Sequence, residues 1–516
     1  MPCPRLSYVG QGLFVNNPNH HNRADGKTRP LIRNWTSLVG AILAAFSFLA
    51  VLCLLAVDFL AGFANPYMGV LTYLVTPGFL ILGLVLIVFG AVLERRRRRR
   101  LAPGEIPQFP RIDLNVPRQR RVFIGVVAGA FVFLLLTAIG SYRTYQFTES
   151  VTFCGRLCHT VMKPEHTAYL NSPHARVTCT ECHIGGGATW YVRFKLSGIY
   201  QVYATLMNKY ERPIPTPVKN LRPAQETCEE CHWPSKFYGG VERVRTHYLS
   251  DQKNSPWTMR MLIKVGGGDP AHGPVGGIHW HMSVANKVEY ITKDEARQVI
   301  PWVRITSQGK QTTVYEAADN KLTAEEIAKG PIRRLDCIDC HNRPTHIFRS
   351  PNEAVDTAML LGRIDPAIPF IKKNATTALM GKYASEPEAL AKIAERLKAD
   401  CVSYKDQAKI QAAIAEVQRI YQENFFPAMT TTWRSHPDNI GHLNWPGCTR
   451  CHDGNHTSAG GKTISHDCNS CHIILAQGPG TKLETLSALG LRFQHPGEEV
   501  PEEVMCTNCH TGGPQD

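Results

Sequence analysis

Fourteen of the seventeen cysteines in this 516-residue chain fall into seven short clusters, and a histidine follows each cluster directly. The clusters are Cys154/Cys158, Cys179/Cys182, Cys228/Cys231, Cys337/Cys340, Cys448/Cys451, Cys468/Cys471 and Cys506/Cys509. Six read C-x-x-C-H, and the first, CGRLCH, carries one more residue between its thiols. Chance would supply on the order of 0.02 copies of the five-residue pattern at this composition, so six copies have a chemical cause. Two thiols at this spacing can form thioether bonds to the two vinyl groups of one haem, and the next histidine then lies beneath the ring and binds iron. Zinc also uses C-x-x-C pairs, but it needs no histidine after each, and seven pairs do not divide into four-cysteine sites. A disulfide framework leaves the histidines unexplained. About seven covalent haems of the c type are therefore expected.

Each motif supplies one axial ligand: His159, His183, His232, His341, His452, His472 and His510. A low-spin electron-transfer haem needs a second. Fourteen histidines lie outside the motifs, and His20 and His21 precede the first apolar run, which leaves twelve candidates. His346 and His456 stand five and four residues beyond a motif histidine, beside an attachment loop. His174, His247, His281, His442 and His495 stand in the gaps between motifs. These seven are the expected distal ligands. His166, His272, His279, His436 and His466 rank below them; His279 and His281, two apart in IHWHM, compete for one role. Met162, just past the first motif, is a thioether candidate that would raise the potential of the first iron. Cys3, Cys53 and Cys401 receive no role.

Apolar runs at Thr36 to Val57, Val70 to Leu93 and Val122 to Ser141 each have about 20 residues, enough to span a ~30 Å hydrocarbon layer. Trp35, Tyr67, Tyr73 and Tyr142 lie near their ends, where interfacial aromatics belong. The net charge of +14 is concentrated: residues 1–34 carry +4 and residues 94–121 carry +7, including the run Arg95 to Arg100. By the positive-inside rule both segments are cytoplasmic, and everything after Ser141 lies outside. Haem attachment outside the bacterial cytoplasm agrees with that topology. The basic balance therefore reports membrane orientation and compensation of haem propionates, not a nucleic-acid partner.

The expected fold is a membrane protein with three N-terminal transmembrane helices and an extracytoplasmic multihaem domain, mainly α and irregular with a small β insertion. Its parts are a cytoplasmic arm (1–35), a helical hairpin (36–93), a basic Pro-rich cytoplasmic loop (94–121) and a third span (122–141). Beyond them come a region with three motifs (142–235), a mixed α/β insertion (236–335), a single motif with a helical region (336–440) and a C-terminal triple-motif region (441–516). Lys287 to Ile291 and Thr312 to Tyr315 read as strands around a helix that starts at the Thr292-x-x-Glu295 capping box. A longer helical region starts at Ser385-x-x-Glu388 and runs to about Asn424, with Leu390, Ile393, Ala394 and Leu397 on a packing stripe. Elsewhere the macrocycles are expected to supply much of the apolar core.

The stretch FCGRLCHTVMKPEHTAYLNSPHARVTCTECHIGGG, with WYVRFKLSGIYQVYATL after it, resembles the NapC/NirT family of membrane-anchored quinol dehydrogenases. With its spans and seven motifs, the whole chain is similar to seven-haem inner-membrane cytochromes of metal-respiring bacteria. The resemblance implies a multi-pass protein of the bacterial cytoplasmic (inner) membrane with its haem domain in the periplasm. It would oxidise menaquinol from the lipid pool and pass electrons to periplasmic c-type cytochromes in anaerobic respiration. Lys195, twelve residues after His183, matches the family's quinol-site lysine, and Met162 is similar to the methionine that ligates the first haem. The chain departs from the pattern in the longer first motif, in a methionine displaced by one, and at Val202, where an acid would stand. Two other readings remain open: an electron relay without its own quinol site, and a haem-based terminal reductase of a small oxyanion.

Overall fold

The computed structural model describes residues 31–61, 75–100, 113–157, 159–218, 221–267, 276–283, 285–307, 311–497, 499–501 and 504–513. Most of the N-terminal arm, residues 62–74, residues 101–112, Cys3, Cys158 and His272 lie outside the described residues. The chain divides into two compact units between Phe131 and Val132.

The first unit holds an antiparallel pair, α1 (Trp35–Ala61) and α2 (Thr76–Arg98). Among the described residues these are the two helices long and apolar enough to cross a bilayer. Their contact is built on small residues. A Cβ on Gly40 would lie 2.7 Å from the Gly83 carbonyl oxygen, and one on Gly83 would lie 2.7 Å from the Ala44 amide. Such close approach is how helices associate where lipid leaves no hydrophobic driving force between them. Ser37 adds a hydrogen bond from its hydroxyl to the Ile87 carbonyl at 2.9 Å. Phe46, Ile81 and Val88 are exposed on the outside of the pair, an arrangement suited to lipid rather than water. Arg95 to Arg98 occupy the last turn of α2, where cations also oppose the helix dipole.

The third apolar run lies within α3 (Pro117–Thr148), longer than the expected 122–141, and the boundary between the units falls inside this helix. In the second unit α3 gives way to α4 (His159–Leu170), α5 (Cys179–His183) and α6 (Ala188–Leu206). Two antiparallel sheets follow. Strand β1 (Val241–Tyr248) pairs with β2 (Pro256–Ile263), and β2 pairs with β8 (His472–Pro479), which starts at the histidine of the sixth motif. The other sheet runs β6-β3-β4-β5-β7, from β3 (Lys287–Ile291), β4 (Trp302–Thr306), β5 (Thr312–Ala317), β6 (Arg333–Arg334) and β7 (His456–Ser458). Residues 236–335 are thus not closed on themselves, because chain after the fifth and sixth motifs completes both sheets.

No helix starts at Thr292. The Thr292 hydroxyl donates to the Asp294 carbonyl at 3.0 Å, and the Asp294 carboxylate receives the amides of Gln298 and Val299, at 2.9 and 2.7 Å, closing a turn. Asp and Thr side chains offer the backbone this alternative to a helix. The capping box is used instead at Thr323 and Glu326, opening α7 (Ala324–Lys329).

After the short α8 (Cys337–Cys340) comes a helical subdomain: α9 (Pro351–Leu360), α10 (Ile371–Leu379), α11 (Glu386–Asp400) and α12 (Gln407–Asn424). The expected long helical region is two helices, the second restarted by Asp406, which accepts from the Lys409 amide at 3.2 Å. Val355, Ile368, Leu379, Ile393, Leu397, Ile410 and Val417 are buried together. At ~1.5–3 kcal/mol for each such side chain, this part has its own protein core and does not depend on macrocycles. Lys372, buried in it, binds Asp356 at 2.6 Å, and Asp356 also takes the Tyr248 amide at 3.0 Å, tying β1 to α9 and α10.

Candidate haem centres and their surroundings

A cysteine at i, a second at i+3 and a histidine at i+4 share one face of a single helical turn. The motifs adopt such turns. Cys179–His183 and Cys337–Cys340 are α-helical, and Cys228–Glu230, Gly447–Arg450, Cys468–Ser470 and Cys506–Asn508 are 3-10 turns. His232, His341, His452 and His510 donate their amides to the first cysteine of their own motif at 2.7, 2.8, 3.1 and 2.8 Å. The longer first motif is accommodated by a π-helical turn, Phe153–Leu157. Its i→i+5 closure takes up one more residue than an α-helical turn does. Cys158 and the side chain of His159 lie outside the described residues.

The described motif cysteines are not equally enclosed by protein. Cys182, Cys231, Cys468 and Cys509 are exposed, whereas the other nine are partly buried. The Cys509 amide donates to the Cys506 carbonyl at 3.2 Å, on the turn that His510 also closes.

Six motif histidines each face a second histidine. The ring centroids are 6.0 Å apart for His232 and His174, 6.3 Å for His183 and His346, and 6.3 Å for His341 and His279. They are 5.9 Å apart for His452 and His281, 6.2 Å for His472 and His442, and 5.8 Å for His510 and His495. Two imidazoles bound at ~2.0 Å on opposite sides of one metal would place their ring centres roughly 6 Å apart. The donor sets fit an iron whose four equatorial positions are filled by a porphyrin. Among the described residues no three His, Cys, Asp or Glu side chains converge as a bare-ion site would require.

The protein also orients these rings. Nδ1 of His279 donates to the Val265 carbonyl at 2.8 Å, that of His281 to Ile278 at 2.7 Å, that of His346 to Glu165 at 3.0 Å and that of His452 to Ser465 at 2.7 Å. Each bond fixes the tautomer that leaves Nε2 free to bind metal. Burial, reinforced by the charge of His346, pushes His183 down to about 4, and burial together with Arg343 pushes His346 to about 4. Both are then neutral at physiological pH, the form that ligates.

One expected distal residue stands elsewhere. His456 is buried in β7 with Nδ1 on Asp453 at 2.9 Å and Nε2 on the Ile300 carbonyl at 2.7 Å, so both nitrogens serve the protein. His247 binds Asp356 through Nδ1 at 3.1 Å, which leaves its Nε2 unengaged, as in His279, His281 and His346. His174, His281, His346, His442 and His495 each face a motif histidine, as does His279. Sequence reasoning set His279 against His281, yet both lie in the 3-10 turn Ile278–Met282. Residues two apart in such a turn are about 240° apart around its axis, so they can serve different partners. Of the remainder, the ring of His166 lies against Gly155 of the first motif, and His436 binds the Thr216 hydroxyl at 3.0 Å. His466 is exposed, and Met162 is half-buried one turn past His159 in α4.

Successive motifs lie within electrostatic reach of one another. Cys154 lies near Cys179, Cys182 near Cys228 and Cys231, Cys337 near Cys228, and Cys340 near Cys448. The series continues from Cys448 to Cys471 and from Cys468 to Cys506, whose thiol also feels Cys509 of its own motif.

Lys195 projects from α6 at the first motif. Its ammonium donates to Glu149 Oε1 at 2.5 Å and to the Thr148 hydroxyl at 3.3 Å, both at the end of α3. It also lies 5.1 Å from the ring centre of Tyr191, which stacks on Tyr145. The charges of Lys195 and Glu149 both act on the Cys154 sulfur. Farther along α6, Leu196, Ile199, Tyr200, Tyr203 and Leu206 form an exposed apolar stripe at helical spacing.

Residues 116–219 match the N-terminal region of the NapC/NirT cytochrome c family. The chain is 44% identical over 498 residues, 95% of its length and 97% of the relative's, to the cytochrome c-type protein ImcH of Geobacter sulfurreducens. No solved structure matches.

Proposed function

The chain belongs to the NapC/NirT cytochrome c family, and on that premise we propose that it is a membrane-anchored menaquinol dehydrogenase whose electrons leave through about seven haems for periplasmic c-type cytochromes. Membership makes it an electron-transport protein with covalently attached haem c, anchored by its N-terminal apolar helices. The finer reading has its own support.

The observation that carries it is the placement of Lys195. A cation at the outer end of α3, beside Cys154, stands where a lipid-soluble quinol would have to meet the first redox centre. Lys195 donates hydrogen bonds to a quinol oxygen, and Tyr191 and Tyr145 offer aromatic faces to its ring. The exposed stripe of α6 suits the lipid interface, which keeps the approach apolar. In this reading α3 is the third span, the arginine-rich segments are cytoplasmic and the motifs are periplasmic.

The motif cysteines would hold the haems, and His174, His279, His281, His346, His442 and His495 would supply the second iron ligand at six of them. When bound, the haems supply one-electron carriers that divide a two-electron oxidation into single steps. The proximity of each motif to the next, from Cys154 to Cys506, supports a path that follows chain order. Met162 remains the thioether candidate for the first iron. A histidine opposite six of the motif histidines weighs against a terminal reductase, which needs an open coordination position.

The test is anaerobic addition of a menaquinol analogue to the purified full-length protein in lipid nanodiscs, with haem absorption followed in time. Rapid reduction is expected. If dithionite reduced the haems but the quinol reduced none, the protein would be a relay fed by another complex.

A further inference from the structure

A quinol gives up two protons with its two electrons, and α6 cannot receive them: from Ala188 to Leu206 it contains neither Asp nor Glu. The carboxylate at Lys195 comes from another element. Glu149 follows the last residue of α3, 2.5 Å from Lys195, with its side chain 15% exposed and that of Lys195 31% exposed. The Glu149 carbonyl also receives the Thr180 hydroxyl, at 3.5 Å, from the second motif. The carboxylate thus has a lysine beside it and partial access to water, while the backbone of the same residue is tied to the second motif.

We propose that Glu149 accepts the hydroxyl protons of the quinol bound at Lys195. This rests on the reading of Lys195 as a quinol contact. In each of two steps an O–H bond of the substrate breaks, its proton forms the carboxylic acid of Glu149, and one electron leaves for the haem that the first motif would hold, which would pass the first electron to the next haem before the second arrives. Glu149 returns each proton to external water before the next. One quinol thereby becomes one quinone, with two ferric haems reduced and two protons released. Lys195, a donor without an acceptor, contributes binding and orientation, so the two members of the ion pair have separable roles.

The experiment compares the wild type with Glu149→Gln and Glu149→Asp in nanodiscs by two measurements. One is equilibrium binding of 2-heptyl-4-hydroxyquinoline N-oxide, read by quenching of its fluorescence. The other is the rate of haem reduction by a menaquinol analogue, with and without added formate or acetate. For Glu149→Gln we expect inhibitor affinity within about twofold of wild type and a reduction rate lower by about 10²-fold, partly restored by the small carboxylates. Glu149→Asp should recover most of the rate. A wild-type rate in Glu149→Gln would overturn the proposal, and so would a slow variant that had lost inhibitor affinity and gained nothing from carboxylates. Failure of the wild type itself to bind inhibitor or be reduced would instead overturn the quinol reading beneath it.

Discussion

His279 and His281, two residues apart on one 3-10 turn, face different motif histidines, His341 at 6.3 Å and His452 at 5.9 Å. A single short segment therefore serves the fourth and fifth motifs together. Trp280 between them packs against the β3–β4 sheet core, so the turn is fixed by the protein on its other side.

His279→Ala and His281→Ala should each convert one haem equivalent from low to high spin and leave the other low-spin. Electron paramagnetic resonance of the oxidised variants reads this directly. Loss of both low-spin signals in either variant would mean that the turn collapses as a whole; loss of neither would remove both residues from the ligand set.

His456→Ala should leave every haem low-spin, because both ring nitrogens are already engaged by Asp453 and the Ile300 carbonyl. Its cost should appear in stability, at about 1–3 kcal/mol for the buried groups left without partners. Denaturant unfolding of the holoprotein measures that cost, and the visible spectrum before unfolding checks ligation.

The helical subdomain should weaken in acid through Glu416. Burial raises its pKa, but hydrogen bonds and charge from Arg419 and Arg363 outweigh burial and hold it below the ordinary value of 4.5. The folded state then binds fewer protons than the unfolded one. This contribution to stability is present above about pH 4.5 and is lost as pH falls through the depressed folded value. Thermal melts between pH 6 and pH 3 should show a steeper loss for wild type than for Glu416→Gln. Parallel curves would exclude this group as a source of the acid sensitivity.

Gly83→Leu should separate α1 from α2, since even a Cβ at Gly83 meets Ala44 backbone at 2.7 Å. A lower midpoint of thermal aggregation in detergent, with an unchanged haem spectrum, is the expected result. An unaltered midpoint would show that the pair tolerates a wider spacing.

The proximal half of each candidate haem centre was legible because it is local: cysteines and histidine at fixed spacing need one turn of chain. The distal half depends on what the fold brings near. Adjacency in sequence misled at His456, four residues past a motif histidine, because β7 carries it into a sheet; His346, equally close to a motif, faces the second motif rather than its own. Spacing was equally silent on burial, which encloses Cys401, a cysteine outside the motifs, in the helical core. Glu149 carried no sequence signal, since its partner is 46 residues away on another helix. In the fold, Ser385 and the Ile393/Leu397 stripe were readable because caps and periodicity are local physics. The break between α11 and α12 was not, and neither was the completion of both sheets by strands after the fifth and sixth motifs.

The reach from His183 to His346 bears on how the protein is assembled. If a secretion pore delivers the chain amino end first, His232 arrives with His174 already present, whereas His183 emerges 163 residues before His346. A pigment stitched to the second motif on arrival would therefore wait, with one side bare, until the fourth motif had crossed. The order of export would set a maturation timetable, and the second motif would be the one most in need of a chaperone's shelter.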